Sequence, residues 1–341
     1  MNTIGHIFRL TTFGESHGTA IGGVIDGCPS QLKLDFGFIE SELHRRKTAQ
    51  SSSSSQRKES DKIEWLSGLL DGVTLGTPIA FMVRNEDAKS ADYEALKDVY
   101  RPSHADFTYE QKYGIRDWRG GGRASARTTL PIVVAGAIAK QILKGKDITI
   151  TAEVVSMGDA EQARKEGDTV GGMVECRIVG VPAGLGEPMF GKFSAELAHA
   201  MFSLPAVKGF EIGDGFALAG MKGSEANDTF INTDAGLRDA RHETCPESCS
   251  LESRVKITTL TNHSGGIQGG ITNGNNVVFR VAFKPIPSVA QPQQTVNRAG
   301  ETCTIAIEGR HDVCALPRAV VLVEALAAMV TLDMEMMAPR C

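Results

Sequence analysis

Apolar and polar residues alternate through 6–14 ("HIFRLTTFG") and 20–27 ("AIGGVIDG"), and this period of two predicts short strands joined through the turn at 14–18. In "LDFGFIESELHRRK" the spacing lengthens: Phe36, Phe38, Ile39 and Leu43 fall near one helical face, Asp35 is placed to cap the start, and Arg45, Arg46 and Lys47 crowd the last turn. Glycine-interrupted strands follow from Lys62 to Arg84. "TTLPIVVAGAIAKQIL" is apolar on nearly every face and predicts a buried helix. "TITAEVVSMG", "GGMVECRIVGVP" and "VVFRVAFKPIPSV" read as strands, "SAELAHAMFSL" as a helix and "FEIGDGFALAGM" as a strand pair. A long apolar helix opens near Pro317. Strands that come in pairs, with a few buried helices between them, predict an α+β fold: a layered β-α-β sandwich of antiparallel sheets around buried helices, and one domain over 1–341.

Four stretches break the pattern. Five consecutive serines, Ser51 to Ser55, offer no apolar anchor, and 48–56 is expected to be a mobile loop between Arg46 and Arg57. From Tyr100 to Arg127 no period is visible over about thirty residues, a length that in compact domains goes with function. The segment 224–253 is a long polar insertion. "TNHSGGIQGGITNG" is glycine-dense and too polar for a buried strand, so its backbone is expected to approach something closely.

Composition narrows the class. Among 341 residues, 41% are hydrophobic, enough for a sizeable core, and no run of about 18 apolar residues suggests a membrane span. The first residues lack the layout of a signal peptide, so a cytoplasmic location is expected. The seven cysteines (28, 176, 245, 249, 303, 314 and 341) are scattered and odd in number, which suits a reducing compartment. Cys245 and Cys249 make a lone C-x3-C, short of a four-ligand zinc set, and no metal is expected. A net charge of −5 argues against nucleic acid or an anionic membrane as partner, and an anionic ligand must then be held by locally gathered arginines.

"GESHG", from Gly14, has the G-x-S-x-G spacing of a hydrolase nucleophile elbow. An elbow joins a central strand to a helix, yet only thirteen residues precede Gly14 and strand-like "TAIGGVIDG" follows. Ser16 is therefore read as a hydrogen-bonding partner and His17 as the chemical group. Further on, Arg119-Gly-Gly-Gly-Arg123-Ala-Ser125-Ala-Arg127 precedes the buried helix. Glycine turns, arginines and a helix start together form an anion site, although the spacing is neither that of a dinucleotide fold nor that of a P-loop.

These segments carry a resemblance. "GESHGTAIGGVIDGCP", "RGGGRASARTT" and "GRHDVCALPRAVVLVEA" resemble, in order, the three signature regions of the chorismate synthase family, and "RPSHADFTYEQKYGIRDWRGGGR", "VGVPAGLGEPMF", "VKGFEIGDGF", "TNHSGGIQGG" and "FKPIPSV" extend the likeness over nearly the whole chain. The resemblance implies a lyase that eliminates phosphate and a C6 hydrogen from 5-enolpyruvylshikimate 3-phosphate, with reduced FMN as cofactor and a homotetramer as the assembly. It implies His17, His104 and Asp312 as catalytic groups, and Ser16, Arg46, Arg57, Ser125, Arg127 and Arg310 around the substrate. Arg123, Ala124, Ser125, Gly269, Lys284, Pro285, Ile286, Pro287, Ser288 and Arg310 would hold the flavin. His263 would act in support; His6, His44, His199 and His242 are read as structural or surface residues.

The chain departs from the family pattern in places. Ser103 stands where R-P-G-H is expected, and serines replace a basic residue after Arg46. The substrate's two carboxylates and phosphate account for the arginines of an acidic chain. A flavin-binding reductase without elimination is the alternative, but no strand, glycine loop and helix offer a nicotinamide site, so an external reductant of the flavin is expected rather than NADPH bound by this chain.

Overall fold

The computed structural model describes residues 1–48, 60–86, 90–232, 257–307 and 312–338. Near the N-terminus, β1 (Thr3–Ile4), β2 (Arg9–Phe13), β3 (Ala20–Asp26), β4 (Ile63–Trp65) and β5 (Ile79–Arg84) form a sheet ordered β1-β2-β3-β5-β4, antiparallel throughout. Leu10 opposes Ile25 across β2 and β3, and both are fully buried, so the alternation read in the sequence fixes which face meets the core. A second sheet, β6 (Thr149–Met157), β7 (Gly172–Val179), β8 (Val207–Ile212) and β9 (Val277–Phe283), runs β8-β9-β7-β6, again antiparallel.

Helices α1 (Phe36–Thr48), α2 (Asp106–Tyr113), α3 (Leu130–Lys144), α4 (Ala160–Glu166), α5 (Phe193–Phe202) and α6 (Leu316–Met337) complete the main elements. Asp35 caps α1 by accepting from Phe38 N at 3.0 Å. Helix α3 lies on β2 and β3, α6 lies on β6 and β7, and the two helices pack on each other. That crossing is close: a Cβ on Gly136 would stand 2.3 Å from the Ala325 Cβ. A mixed fold of helices and antiparallel sheets is thus present, as the sequence predicts.

Glu324 of α6 takes Arg45 at 2.7 and 2.9 Å, Lys140 at 2.5 Å and the Ala152 N–H at 3.0 Å. Hydrogen bonds from Arg45 and the nearby Lys140 outweigh burial and lower the Glu324 pKa.

Two readings of the pattern need correction. The stretch from Tyr100 to Arg127 holds α2 and two short 3-10 turns, Gly122–Ala124 and Ala126–Thr129; α2 escaped the periodicity because it is polar almost all round and buries only Asp106. "FEIGDGFALAGM" is a strand followed by the 3-10 turn Gly215–Gly220. Gly213 and Gly215 have positive φ there, and Glu211 Oε2 accepts from Phe216 N, so the chain coils instead of returning. The glycine-dense segment forms a tight hairpin between Ile267–Gln268 and Ile271–Thr272, and what its backbone approaches is other backbone: a Cβ on Gly265 would lie 2.4 Å from Gly213 N. Within the polar insertion, Phe230–Asn232 pairs with Ile257–Thr259. Residues 233–253 of that insertion and the serine run lie outside the described residues, as do Cys245, Cys249 and His242.

Candidate active site

The turn between β2 and β3 is fastened to the glycine-arginine segment. Arg123 donates to Gly14 O at 3.0 Å and to Thr12 Oγ1 at 2.7 Å, and Ser16 N reaches Gly122 O at 3.4 Å. Ser16 is buried, and its Oγ lies 3.1 Å from His17 Nδ1. The His17 ring meets Tyr93 edge to face, with centroids 5.2 Å apart. On another side it meets Gly120, where a Cβ would come within 2.4 Å of the imidazole. The imidazole is thereby held in one orientation.

His104 is placed by a different device. His104 N donates to Arg101 O at 3.2 Å, Pro102 occupies the second position of this turn, and Ser103 in the third has φ +60. That combination defines a type II turn, whose third position favours glycine. His104 Nδ1 lies 3.0 Å from Asp106 Oδ1. Asp106 is buried, bound by two Arg101 nitrogens at 2.7 Å each and by Arg116 at 3.2 Å. Burial alone would raise its pKa; the bonds from Arg101 and His104 win and hold the carboxyl well below the usual carboxylate range.

A third cluster gathers cations. Asp61, buried with φ +50, stands 2.9 Å from Arg127, 3.4 Å from Lys47 and 3.8 Å from Arg46. Arg127 also bonds Asn85 Oδ1 at 2.5 Å and Arg84 O at 3.2 Å, so three anchors set its plane. Burial pulls the Arg46 guanidinium down to about 10; Asp61 opposes the fall, and Arg318 and Arg127 add to it. Arg318 Nη2 lies 3.3 Å from Asp312 Oδ1, outside hydrogen-bonding geometry, and this buried nitrogen has no hydrogen-bond partner among the described residues.

All three clusters open on one cavity of about 790 Å³. His17, His104 and Asp312 line it, and so do Ser16, Arg46, Ser125 and Arg127. Of the residues predicted for the flavin, Arg123, Ala124, Lys284, Ile286, Pro287 and Ser288 also line it. Pro285 and Gly269 are not among the lining residues. Gly269 sits in the tight hairpin turn whose neighbour Gly270 accepts from Phe193 N at the start of α5, whereas the cavity meets that helix at its other end, at Ser203 to Ala206. Arg57 and Arg310 lie outside the described residues. His263 is not a lining residue; its Nδ1 pairs with Asp214 at 2.6 Å, which raises its pKa.

Sequence reasoning missed Tyr93, Asp61, Arg101 and Arg318 as lining residues. Arg318 had a usable signal, since it follows Pro317 at the opening of a buried helix. Asp61 had none, because only the fold brings it to Arg46 and Arg127. The cavity is strongly cationic: seven Lys and Arg side chains line it against Asp61 and Asp312. Apolar Leu204, Pro205, Phe283 and Leu322 line it as well. Such a site suits a flat, partly apolar molecule beside a multiply anionic one, with two imidazoles and a carboxylate for proton transfer. Among the described residues no group of three or more His, Cys, Asp or Glu could hold a metal ion, and no helix is long and apolar enough to cross a membrane.

Comparison with known proteins agrees with this geometry. The sequence model of the chorismate synthase family matches residues 8–163 and 159–336. A chorismate synthase of Porphyromonas gingivalis is 49% identical over 368 residues, covering 98% of this chain and 95% of that protein. One from Chloroflexus aurantiacus is 47% identical over 362 residues, covering 97% and 94%. A crystal structure of a chorismate synthase superposes with a TM-score of 0.72 at 28% identity, covering 97% of this chain and 92% of its own. With matches that run nearly end to end, and a cavity that gathers the signature residues, this chain belongs to the chorismate synthase family.

Proposed function

We propose that the cavity binds 5-enolpyruvylshikimate 3-phosphate beside reduced FMN and eliminates phosphate and the C6 hydrogen in the 1,4-anti sense, giving chorismate, the last common intermediate of aromatic amino-acid synthesis. The observation that carries this reading is the convergence of His17, His104 and Asp312 on one cation-lined cavity in a chain of this family.

The residues fit a flavin. A volume of about 790 Å³ suits a cofactor together with a small substrate, and the apolar lining residues suit a planar ring. The orphaned Arg318 Nη2 and Lys284 suit its phosphate or an adjacent carboxylate. Arg123, Ala124, Ser125, Lys284, Ile286, Pro287 and Ser288 would hold it, with Pro285 and Arg310 assigned to it by family resemblance. When bound, reduced FMN lends and recovers electron density, so the reaction has no net redox change.

The chain's own groups do the rest. Arg46, Arg57, Arg127 and Arg310 hold the substrate anions, and Ser16 and Ser125 add neutral donors. His17, oriented through Nδ1 by Ser16, protonates the departing phosphate. His104, oriented by Asp106, supplies a proton toward the ring of the cofactor, and Asp312 takes up the proton lost from the substrate.

The same reading carries the layered β-α-β sandwich, supported by α3 touching one sheet and α6 the other. It also carries a cytoplasmic location, an external reductant for the flavin and a homotetramer. Exposed Val154, Val155 and Met157 on β6 support the assembly, being apolar side chains on a sheet edge that a second copy would cover.

The test is anaerobic phosphate release from 5-enolpyruvylshikimate 3-phosphate with pre-reduced FMN, beside arms with NADPH and oxidised FMN and with no flavin. Release only with pre-reduced FMN is the expected result. Flavin reduction by NADPH without phosphate release would favour the reductase instead.

A further inference from the structure

Ser103 combines two properties that rarely occur together. It holds the left-handed conformation of a type II turn, φ +60, where glycine would sit without strain. Its two oxygens also both face one ammonium: Lys284 Nζ donates to Ser103 Oγ at 3.0 Å and to Ser103 O at 3.1 Å. A glycine would keep the carbonyl contact and lose the hydroxyl. The strain is therefore matched by one interaction that only the serine side chain supplies.

Lys284 follows the last strand of the second sheet, and Ser103 immediately precedes His104, so the contact bridges two walls of the cavity. We propose that Ser103 is a positioning residue that holds the Lys284 ammonium against the His104 turn and aims its remaining N–H at the anionic ligand in the cavity.

The chemistry follows from the donor count. A lysine ammonium has three N–H groups on a flexible stem and little directional preference of its own. Two are engaged by the turn, which leaves one with a defined direction. Fixing the stem before binding removes part of the entropy that a free lysine would lose on meeting a phosphate or carboxylate. Burial and the neighbouring Lys208 lower the Lys284 pKa, so each oxygen partner also helps to keep the ammonium charged. The assignment of flavin as the ligand rests on the function proposed above; the link between Ser103 and Lys284 does not.

The experiment uses the full chain and has two readouts. In ligand-free protein, trace acylation followed by peptide mass spectrometry measures the reactivity of Lys284, with exposed Lys222 as internal control. Ser103→Gly and Ser103→Ala should raise the Lys284 rate by about 3- to 10-fold, the loss of one ordinary hydrogen bond, and leave Lys222 unchanged. In the second readout, fluorescence titration with FMN should show affinity falling by about 3- to 10-fold in Ser103→Gly, with no further fall when Ser103→Gly is added to Lys284→Met. Ser103→Gly should melt close to the parent, because relief of the turn offsets the lost hydrogen bond, so a loss of affinity cannot be ascribed to a damaged fold. Equal acylation of Lys284 in parent and variants, or additive losses in the double variant, would overturn the proposal. If Lys284→Met leaves FMN affinity unchanged, the flavin reading of this wall fails, and the acylation rates still judge the Ser103 link on their own.

Discussion

Asp106 and Arg101 form a two-pronged buried pair, both contacts 2.7 Å, and the same Asp106 oxygen that takes Arg101 Nη2 stands 3.0 Å from His104 Nδ1. The histidine's orientation is thus tied to an ion pair within its own loop. Asp106→Asn would leave Arg101 buried without its counter-charge and Arg116 with Glu110 alone, at 3.5 Å, a change that costs about 3–5 kcal/mol. The folded-state pKa of Asp106 is depressed, so its contribution is complete above the unfolded carboxylate value and is lost as pH falls below about 4. Stability of the parent should fall more steeply than that of Asp106→Asn between about pH 4 and 2, as measured by urea melts across pH. Parallel slopes would rule this out.

The two histidines should fail differently. His17→Ala should bind flavin nearly as the parent does and lose about 10²- to 10⁴-fold in phosphate release, the range of a missing general acid. His104→Ala should instead change the absorbance of bound reduced flavin. Ser16→Ala removes the hydroxyl beside Nδ1 and should retain part of the activity. Identical flavin spectra for both histidine variants would refute the division of roles.

Gly120→Ala offers a separate probe of His17. The added methyl would lie 2.4 Å from the imidazole in a backbone with φ +75, so it must displace the ring and strain the turn by about 1–2 kcal/mol. A loss of kcat larger than the small fall in thermal stability explains is expected. Wild-type turnover would show that the ring need not hold this position.

Asp61 is the carboxylate shared by Arg46, Lys47 and Arg127. Asp61→Asn should destabilise the empty protein by about 3 kcal/mol, since buried guanidinium groups lose their counter-charge. Inorganic phosphate should then raise the melting temperature of the variant more than that of the parent, because an anion in the cavity replaces the missing charge. Equal phosphate-dependent shifts would place the anion site elsewhere.

Far from the cavity, Asp333 of α6 accepts from His6 N and Ile7 N at 2.7 Å and from Phe8 N at 2.9 Å. This one carboxylate pins the entry to β2 onto the central helix. Asp333→Ala should cost about 3–5 kcal/mol, less than three separate charged hydrogen bonds would sum to, with kcat at low temperature little changed. A melt indistinguishable from the parent would mean that the N-terminal segment is held by its apolar contacts alone.

Local chemistry was legible along the chain. The alternation in 6–14 and 20–27 marked β2 and β3, Asp35 and the basic last turn marked α1, and the all-round apolar runs marked α3 and α6, because each signal lies within a few residues of what it specifies. The GESHG and RGGGR segments could be named as site pieces for the same reason. What only the tertiary structure decided is who meets whom. Asp61 reads as an ordinary loop carboxylate until folding sets it against Arg46 and Arg127, and Ser103 reads as a mere departure until its hydroxyl meets Lys284, 181 residues away. Arg123 reads as an anion ligand alone, yet its guanidinium also donates to the Gly14 carbonyl and the Thr12 hydroxyl and so holds the His17 turn in place. Burial and pairing over such separations set which charges remain for a ligand, and they arise from packing that periodicity does not encode.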